Sequence, residues 1–110
     1  MYYMETKLNL NLMRYKDLSK YAESAPSGID ILNSCNDIAR MLIEKNISYG
    51  DSALSPVRIF SKADAREQLY VRIDDKLSRL MKGSDYPGDN DIDDLIGYLI
   101  LLKIAKSKSS

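Results

Sequence analysis

The chain has 110 residues, enough for one small domain, and its 16 basic and 16 acidic residues give a formal net charge of zero. A balanced chain lacks a general field that would draw it to DNA, RNA or an anionic membrane, which argues against a general nucleic-acid binder. One cysteine and no histidine are present. These counts exclude an internal disulfide, a thiolate zinc cluster and every imidazole-dependent mechanism. Chemistry would have to use Asp, Glu, Lys, Arg or Tyr, and the one cofactor such a chain suggests is Mg²⁺.

The N-terminal region differs from the rest of the chain. We expect residues 1–26 to form an arm or a loose helix, residues 27–106 a helical core domain, and residues 107–110 a frayed tail. The loose helix is predicted over 14–24. A short strand or extended arm is predicted where leucines alternate with asparagines, at Leu8, Leu10 and Leu12. No signal-peptide pattern and no long apolar run are visible, so we expect a cytoplasmic protein without a membrane segment.

Three long segments with helical spacing follow. The first is predicted to begin at the N-cap Ser27 and to end near Asn46, with Cys35 buried on its apolar stripe. The second is predicted over 63–82 and the third over 90–106. The connections are a loop over 47–57 with a short helical turn at 57–61, and a turn-rich linker over 83–90 that starts with Gly83 as a C-cap. These elements predict an all-α fold, a small antiparallel helical bundle.

The second helix places cations at the rim of its predicted core face. Because an α-helix advances about 100° per residue, one stripe contains the residues Leu69, Ile73, Leu77 and Leu80. Lys76 falls at the edge of this stripe, and Arg72 and Arg79 fall just beyond it on the same side.

The last helix places acids in the equivalent position. Leu95, Leu99 and Leu102 define its predicted core stripe, and Asp91 and Asp94 share one edge of it, one turn apart. The helix is also apolar on the side of Ile100, Leu101 and Ile104, which favours burial against another subunit and hence a homo-oligomer.

Charge at the rim of a core is costly unless it is paired or bound to a ligand. Three interpretations stay open. In the first, Lys76 or Arg72 pairs with Asp91 or Asp94 as structural salt bridges. In the second, the carboxylates hold Mg²⁺ while the basic residues hold a phosphate. In the third, the basic residues bind an anionic nucleotide directly, without metal.

The segment after the first helix strengthens the case for a site. Gly50 permits close backbone approach, Tyr49 could stack on a base, and Ser52 could bond a phosphate or a ribose. Arg58 and Lys62 follow and lead into the charged helix. Each feature alone is compatible with an ordinary turn, and it is their accumulation that indicates function.

Four segments of the chain form a recognisable series: Glu44–Asn46, Tyr49–Ser52, Val71–Leu80 ("VRIDDKLSRL") and Asp91–Tyr98 ("DIDDLIGY"). Together they resemble a small phage family, the nucleotide modification associated domain of type 1. The last also resembles the ExxD half of MazG-like all-α nucleotide pyrophosphatases, which implies Asp91 and Asp94 as Mg²⁺ ligands. The partner EExxE motif is absent; Glu44 or Asp74 would have to complete the set.

We therefore expect a phage nucleotide-binding protein that acts in nucleotide metabolism or DNA modification, or that sequesters a nucleotide signal of host defence. Its expected phosphate ligands are Arg72, Lys76 and Arg79, with Tyr49 and Tyr98 near the base. The alternatives are a Mg²⁺-dependent nucleoside triphosphate pyrophosphohydrolase and a non-catalytic helical assembly module.

Overall fold

A computed structural model of the protein describes residues 17–56, 58–83 and 90–108, and within these ranges the chain is helical with no strand. The predicted all-α class is confirmed. The helices are α1 (residues 17–24), α2 (Gly28–Tyr49), α3 (Ala65–Lys82) and α4 (Asp91–Lys108). The predicted arm around Leu8–Leu12 and most of the linker over 83–90 lie outside the described residues.

The chain divides into two compact units, Met1–Ala39 and Arg40–Ser110. In the first, a tight turn joins α1 to α2, and a Cβ at Gly28 would collide with the backbone of Ala22. Cys35 is exposed, so its predicted burial is wrong. The reason is that α2 buries only Gly28 and Ile38, which leaves much of its apolar stripe in solvent.

In the second unit, α3 and α4 pack antiparallel, and both ends of α3 and the first turn of α4 are capped by a side chain or by glycine. Asp64 accepts a hydrogen bond from the Glu67 amide at 2.9 Å, and Gly83 ends α3 with a φ of 65°. Asn90 begins α4: its Oδ1 accepts from the Asp93 amide at 3.1 Å, while its Nδ2 donates to the Asp93 carboxylate at 2.9 Å. This reciprocal pair orients the first turn of α4, which carries the acidic residues.

Several predicted boundaries differ from the structure. Helix α2 continues past Asn46 to Tyr49, because the chain first leaves helical geometry at Gly50, where φ is positive. The helical turn predicted at 57–61 is not present over 58–61. Helix α4 extends to Lys108, so residues 107–108 are helical instead of belonging to a frayed tail.

The core of the second unit is smaller than predicted. Leu69 and Ile73 of α3 are buried as expected, at 1% and 9% exposure, together with Ala105 of α4. Leu77, Leu80 and Leu99 are 39–47% exposed, so their assignment to the core is wrong.

The orientation of α4 accounts for the exposure of Leu99. The face that α4 turns inward carries Asp91, Gly97 and Ala105, and the two small residues allow neighbouring groups to approach closely. None of the helices described here has the length and apolarity that a membrane crossing requires.

Candidate functional site

The second unit contains a cleft of about 370 Å³ between the end of α2, the loop that follows it, α3 and α4. One side is apolar: Met41 and Leu42 of α2 and Leu101 of α4 contribute to it. Gly97 lies against this side, and a Cβ there would be 2.9 Å from Leu42 Cδ2 and 3.3 Å from Met41 Cε. The glycine therefore allows Leu42 and Met41 to pack closely against α4, and any larger side chain would have to displace them.

The other sides of the cleft carry two tyrosines and an arginine. Arg72 of α3 lies over the ring of Tyr98 of α4, with 5.9 Å between the guanidinium carbon and the ring centroid. This distance is at the outer limit of a cation–π contact, and such a contact leaves the guanidinium N–H groups available. Tyr49, at the last turn of α2, also lines the cleft and is 67% exposed.

Beside the cleft, Lys76 joins α3 to α4 through two carboxylates. Its Nζ lies 3.1 Å from Asp94 Oδ2 and 3.4 Å from Asp91 Oδ1. Both Lys76 and Asp91 are buried, at 9% and 7% exposure. Burial by itself lowers the pKa of Lys76, but the hydrogen bond and charge of Asp94 and the hydrogen bond to Asp91 outweigh it, so the pKa is raised above 10.5.

Two further cations border this ion-pair cluster. Arg79 Nη1 lies 3.9 Å from Asp91 Oδ1, and Arg79 Nε lies 3.4 Å from Asp75 within the same helix. Lys45 of α2 lies 3.5 Å from Asp94 Oδ1 and remains half exposed at the cleft. The predicted salt bridging between α3 and α4 is thus present, with Lys76 as its main cation and Arg79 as a second, more distant one.

The loop after α2 is held in a compact, left-handed conformation. Gly50 and Asp51 have φ values of 60° and 63°, and Asp51 is the one non-glycine residue with positive φ in the part of the chain that the structure describes. Its carboxylate accepts hydrogen bonds from Asn46 Nδ2 at 2.7 Å and Ser55 Oγ at 3.3 Å. These bonds help to hold a backbone geometry that is unfavourable for most side chains.

The structure brings together some of the predicted site residues and separates others. Those that line the cleft are Tyr49, Ser52, Arg72, Asp94 and Tyr98. Gly50 lies in the loop at its edge, and Lys76, Arg79 and Asp91 lie in the adjoining ion-pair cluster. The residues that do not line it, all exposed, are Glu44, Arg58, Lys62 and Asp74.

Sequence reasoning missed three polar residues of the cleft: Lys45, Asn46 and Asp51. A signal was present for two of them, because Lys45 lies four residues and Asn46 three residues before Tyr49 on the same helix. Because the helix was predicted to end near Asn46, Tyr49 was not recognised as a residue of the same helix. The role of Asp51 depends on its left-handed φ and side-chain bonds, which residue spacing does not reveal.

The donor set predicted for Mg²⁺ is not gathered in the described ranges. Among them, no three Asp, Glu or Cys side chains lie close enough to hold an ion together. Asp91 and Asp94 instead accept from Lys76, and Glu44 and Asp74 lie outside the cleft lining. The residues present therefore do not fit a four-carboxylate metal cage.

Comparisons of the chain with protein-family models, with curated proteins and with solved structures find no match. The chemistry of the cleft is therefore the main evidence about function.

Proposed function

We propose that the cleft binds a phosphate-bearing nucleotide and that the protein acts as a nucleotide-binding protein without a bound metal ion. The supporting observation is the position of Arg72, whose guanidinium lies over Tyr98 at the cleft. Arg72 forms no ion pair with any residue of the described ranges, whereas Lys76, one turn later, is held by two carboxylates. Arg72 is thus the cation that the cleft offers to an incoming phosphate, since a guanidinium can donate two parallel hydrogen bonds to it.

The remaining lining suits the other parts of a nucleotide. Tyr49 and Tyr98 offer ring faces on which a base can stack. Asp51 and Ser52 offer oxygen atoms that can accept from sugar hydroxyls or from a base amino group. A cleft of about 370 Å³ falls within the usual range of small-molecule sites.

The position of Lys76 favours this proposal over the pyrophosphohydrolase alternative. Asp91 and Asp94 would have to exchange Lys76 for a divalent cation before they could act as metal ligands. Leaving Lys76 unpaired in a buried position would be unfavourable.

In biological terms we propose the role that the sequence resemblance implies. A phage protein of this kind would act in nucleotide metabolism or DNA modification, or would sequester a nucleotide signal of host defence. Binding without catalysis is sufficient for sequestration, which is the role closest to the chemistry of the cleft.

We also propose that the chain associates with copies of itself through α4. An apolar row on this helix is exposed by 37–59% and consists of Ile92, Ile96, Leu99 and Ile100. The net charge of zero means that two copies do not repel each other as a whole. Sedimentation of the full chain, compared with an Ile96→Lys variant, tests this: a monomeric wild type at micromolar concentration contradicts it.

The nucleotide proposal is tested by calorimetric titration and thermal shift with common nucleotides, for the wild type and for Arg72→Gln. Loss of a charge-assisted contact should weaken affinity by about 10- to 100-fold. Arg58→Gln is the matched control, because Arg58 is exposed and does not line the cleft. The proposal is wrong if no nucleotide binds, or if the two variants lose affinity equally.

A further inference from the structure

The charge balance of the cleft limits which nucleotides it can hold. Its described lining contains two cationic side chains, Lys45 and Arg72, and two carboxylates, Asp51 and Asp94. Lys76, behind the cleft, adds no surplus charge to this count, because the buried Asp91 beside it carries the compensating negative charge. A ligand therefore meets no excess of positive charge.

A single phosphate is the phosphate group that adds the least negative charge to this balanced lining. A phosphate monoester carries a charge of about −1.5 to −2 at neutral pH. Arg72 can contact it directly, and the half-exposed Lys45 can contact it by exchanging Asp94 for the phosphate. Each further phosphate adds negative charge for which the described lining has no additional cation, and brings that charge toward Asp51 or Asp94. Sites for triphosphates usually supply extra lysines or Mg²⁺ for this purpose.

We infer that the cleft selects nucleotides with one phosphate, bound without a divalent cation, over the corresponding diphosphates and triphosphates. This rests on the proposed nucleotide function and specifies its ligand class. The one-phosphate ligand can be a 5′-monoester or a cyclic monophosphate, since both present a single phosphate to Arg72.

Titration calorimetry of the full chain tests the inference. For each base, the mono-, di- and triphosphate and the 3′,5′-cyclic monophosphate are compared in EDTA and in Mg²⁺. We expect affinity to fall by about threefold or more for each added phosphate, because like charges a few ångströms apart repel even in a watery cleft. The affinity for the monophosphate should be the same in EDTA as in Mg²⁺. Comparing the 5′-monophosphate with the 3′,5′-cyclic monophosphate shows which of the two forms the cleft binds more tightly.

The possible failures are distinct. If nucleotides bind but the triphosphate binds most tightly, or if the monophosphate requires Mg²⁺, this inference is overturned while the proposed function stands. If no nucleotide binds, both are overturned.

A charge variant gives an independent readout. Asp51→Asn removes one negative charge, and asparagine tolerates the left-handed φ at this position. The ratio of triphosphate to monophosphate affinity should rise about threefold or more, whereas a general loss of fit would lower both affinities together. Asp37→Asn, an exposed change on α2 outside the lining, should leave the ratio unchanged. An unchanged ratio in Asp51→Asn overturns the inference.

Discussion

Lys76 on α3 holds Asp94 on α4, with 3.1 Å between Nζ and Oδ2, and the same ammonium group reaches the buried Asp91 at 3.4 Å. Sequence reasoning placed Lys76 among the phosphate ligands, but in the structure its charge is committed to joining two helices. Arg72, one turn earlier, remains at the cleft. Because Lys76 joins the two helices and Arg72 lines the cleft, replacing Lys76 should mainly change stability, and replacing Arg72 should mainly change ligand binding.

Replacing Lys76 should destabilise the fold. We expect Lys76→Met to lower the free energy of unfolding by about 3–5 kcal/mol, because it leaves the buried Asp91 and the partly buried Asp94 without their main partner. Lys82→Met on the same helix is the control and should change stability by less than about 0.5 kcal/mol, since Lys82 is exposed. Urea denaturation measures both. Adding Asp91→Asn to Lys76→Met should recover part of the loss, and equal stability of the two lysine variants would contradict this role.

The raised pKa of Lys76 predicts sensitivity to high pH. Because its pKa is higher in the folded chain than the ordinary 10.5, the ion pairs contribute their full stability below pH 10.5. That contribution is lost as pH rises through the folded pKa and Lys76 gives up its proton. Chemical denaturation between pH 9 and pH 12 should show the loss in wild type. Lys76→Arg, whose charge persists to about pH 12 or above, should lose less over the same interval; equal losses would refute the assignment.

The charge pattern of α3 and α4 was the part of the site most accessible to sequence reasoning. Angular positions correctly brought Lys76, Asp91 and Asp94 together, because the helical repeat fixes which residues share a side. They did not determine which side of α4 faces inward. The leucines of α4 were expected on the inward side. The small residues Gly97 and Ala105 are buried instead, because they allow neighbouring groups to approach α4 more closely. Such a choice depends on packing between helices, which no single helix encodes.

The loop shows a second limit of sequence reasoning. The first long helix was predicted to end near Asn46, whereas α2 continues to Tyr49, and Lys45 and Asn46 were not assigned to the cleft. Asp51 adopts a positive φ that its sequence position alone does not indicate, and its hydrogen bond from Asn46 connects it to the preceding helix. Tertiary hydrogen bonds of this kind are what residue spacing leaves undetermined.

Gly97 should control the width of the cleft. In Gly97→Ala the new Cβ would lie 2.9 Å from Leu42 Cδ2, so the leucine must move. We expect weaker nucleotide binding in calorimetry, with a stability change of no more than about 2 kcal/mol, because alanine's helix propensity offsets part of the overpacking. Lys103→Ala, exposed on the same helix, is the control. Unchanged affinity in Gly97→Ala would show that the ligand does not use this side of the cleft.

The ring of Tyr98 should matter more than its hydroxyl. Tyr98→Phe retains a face for Arg72 and for a stacked base, so affinity should stay within about twofold of wild type. Tyr98→Leu removes both contacts and should weaken nucleotide binding by about tenfold or more, since stacking of one base on an aromatic side chain contributes about 1–3 kcal/mol. Tyr21→Leu provides the matched control, because Tyr21 is 69% exposed and does not line the cleft. If Tyr98→Phe and Tyr98→Leu weaken binding equally, the hydroxyl is the recognition element and Arg72 does not depend on the ring for its position.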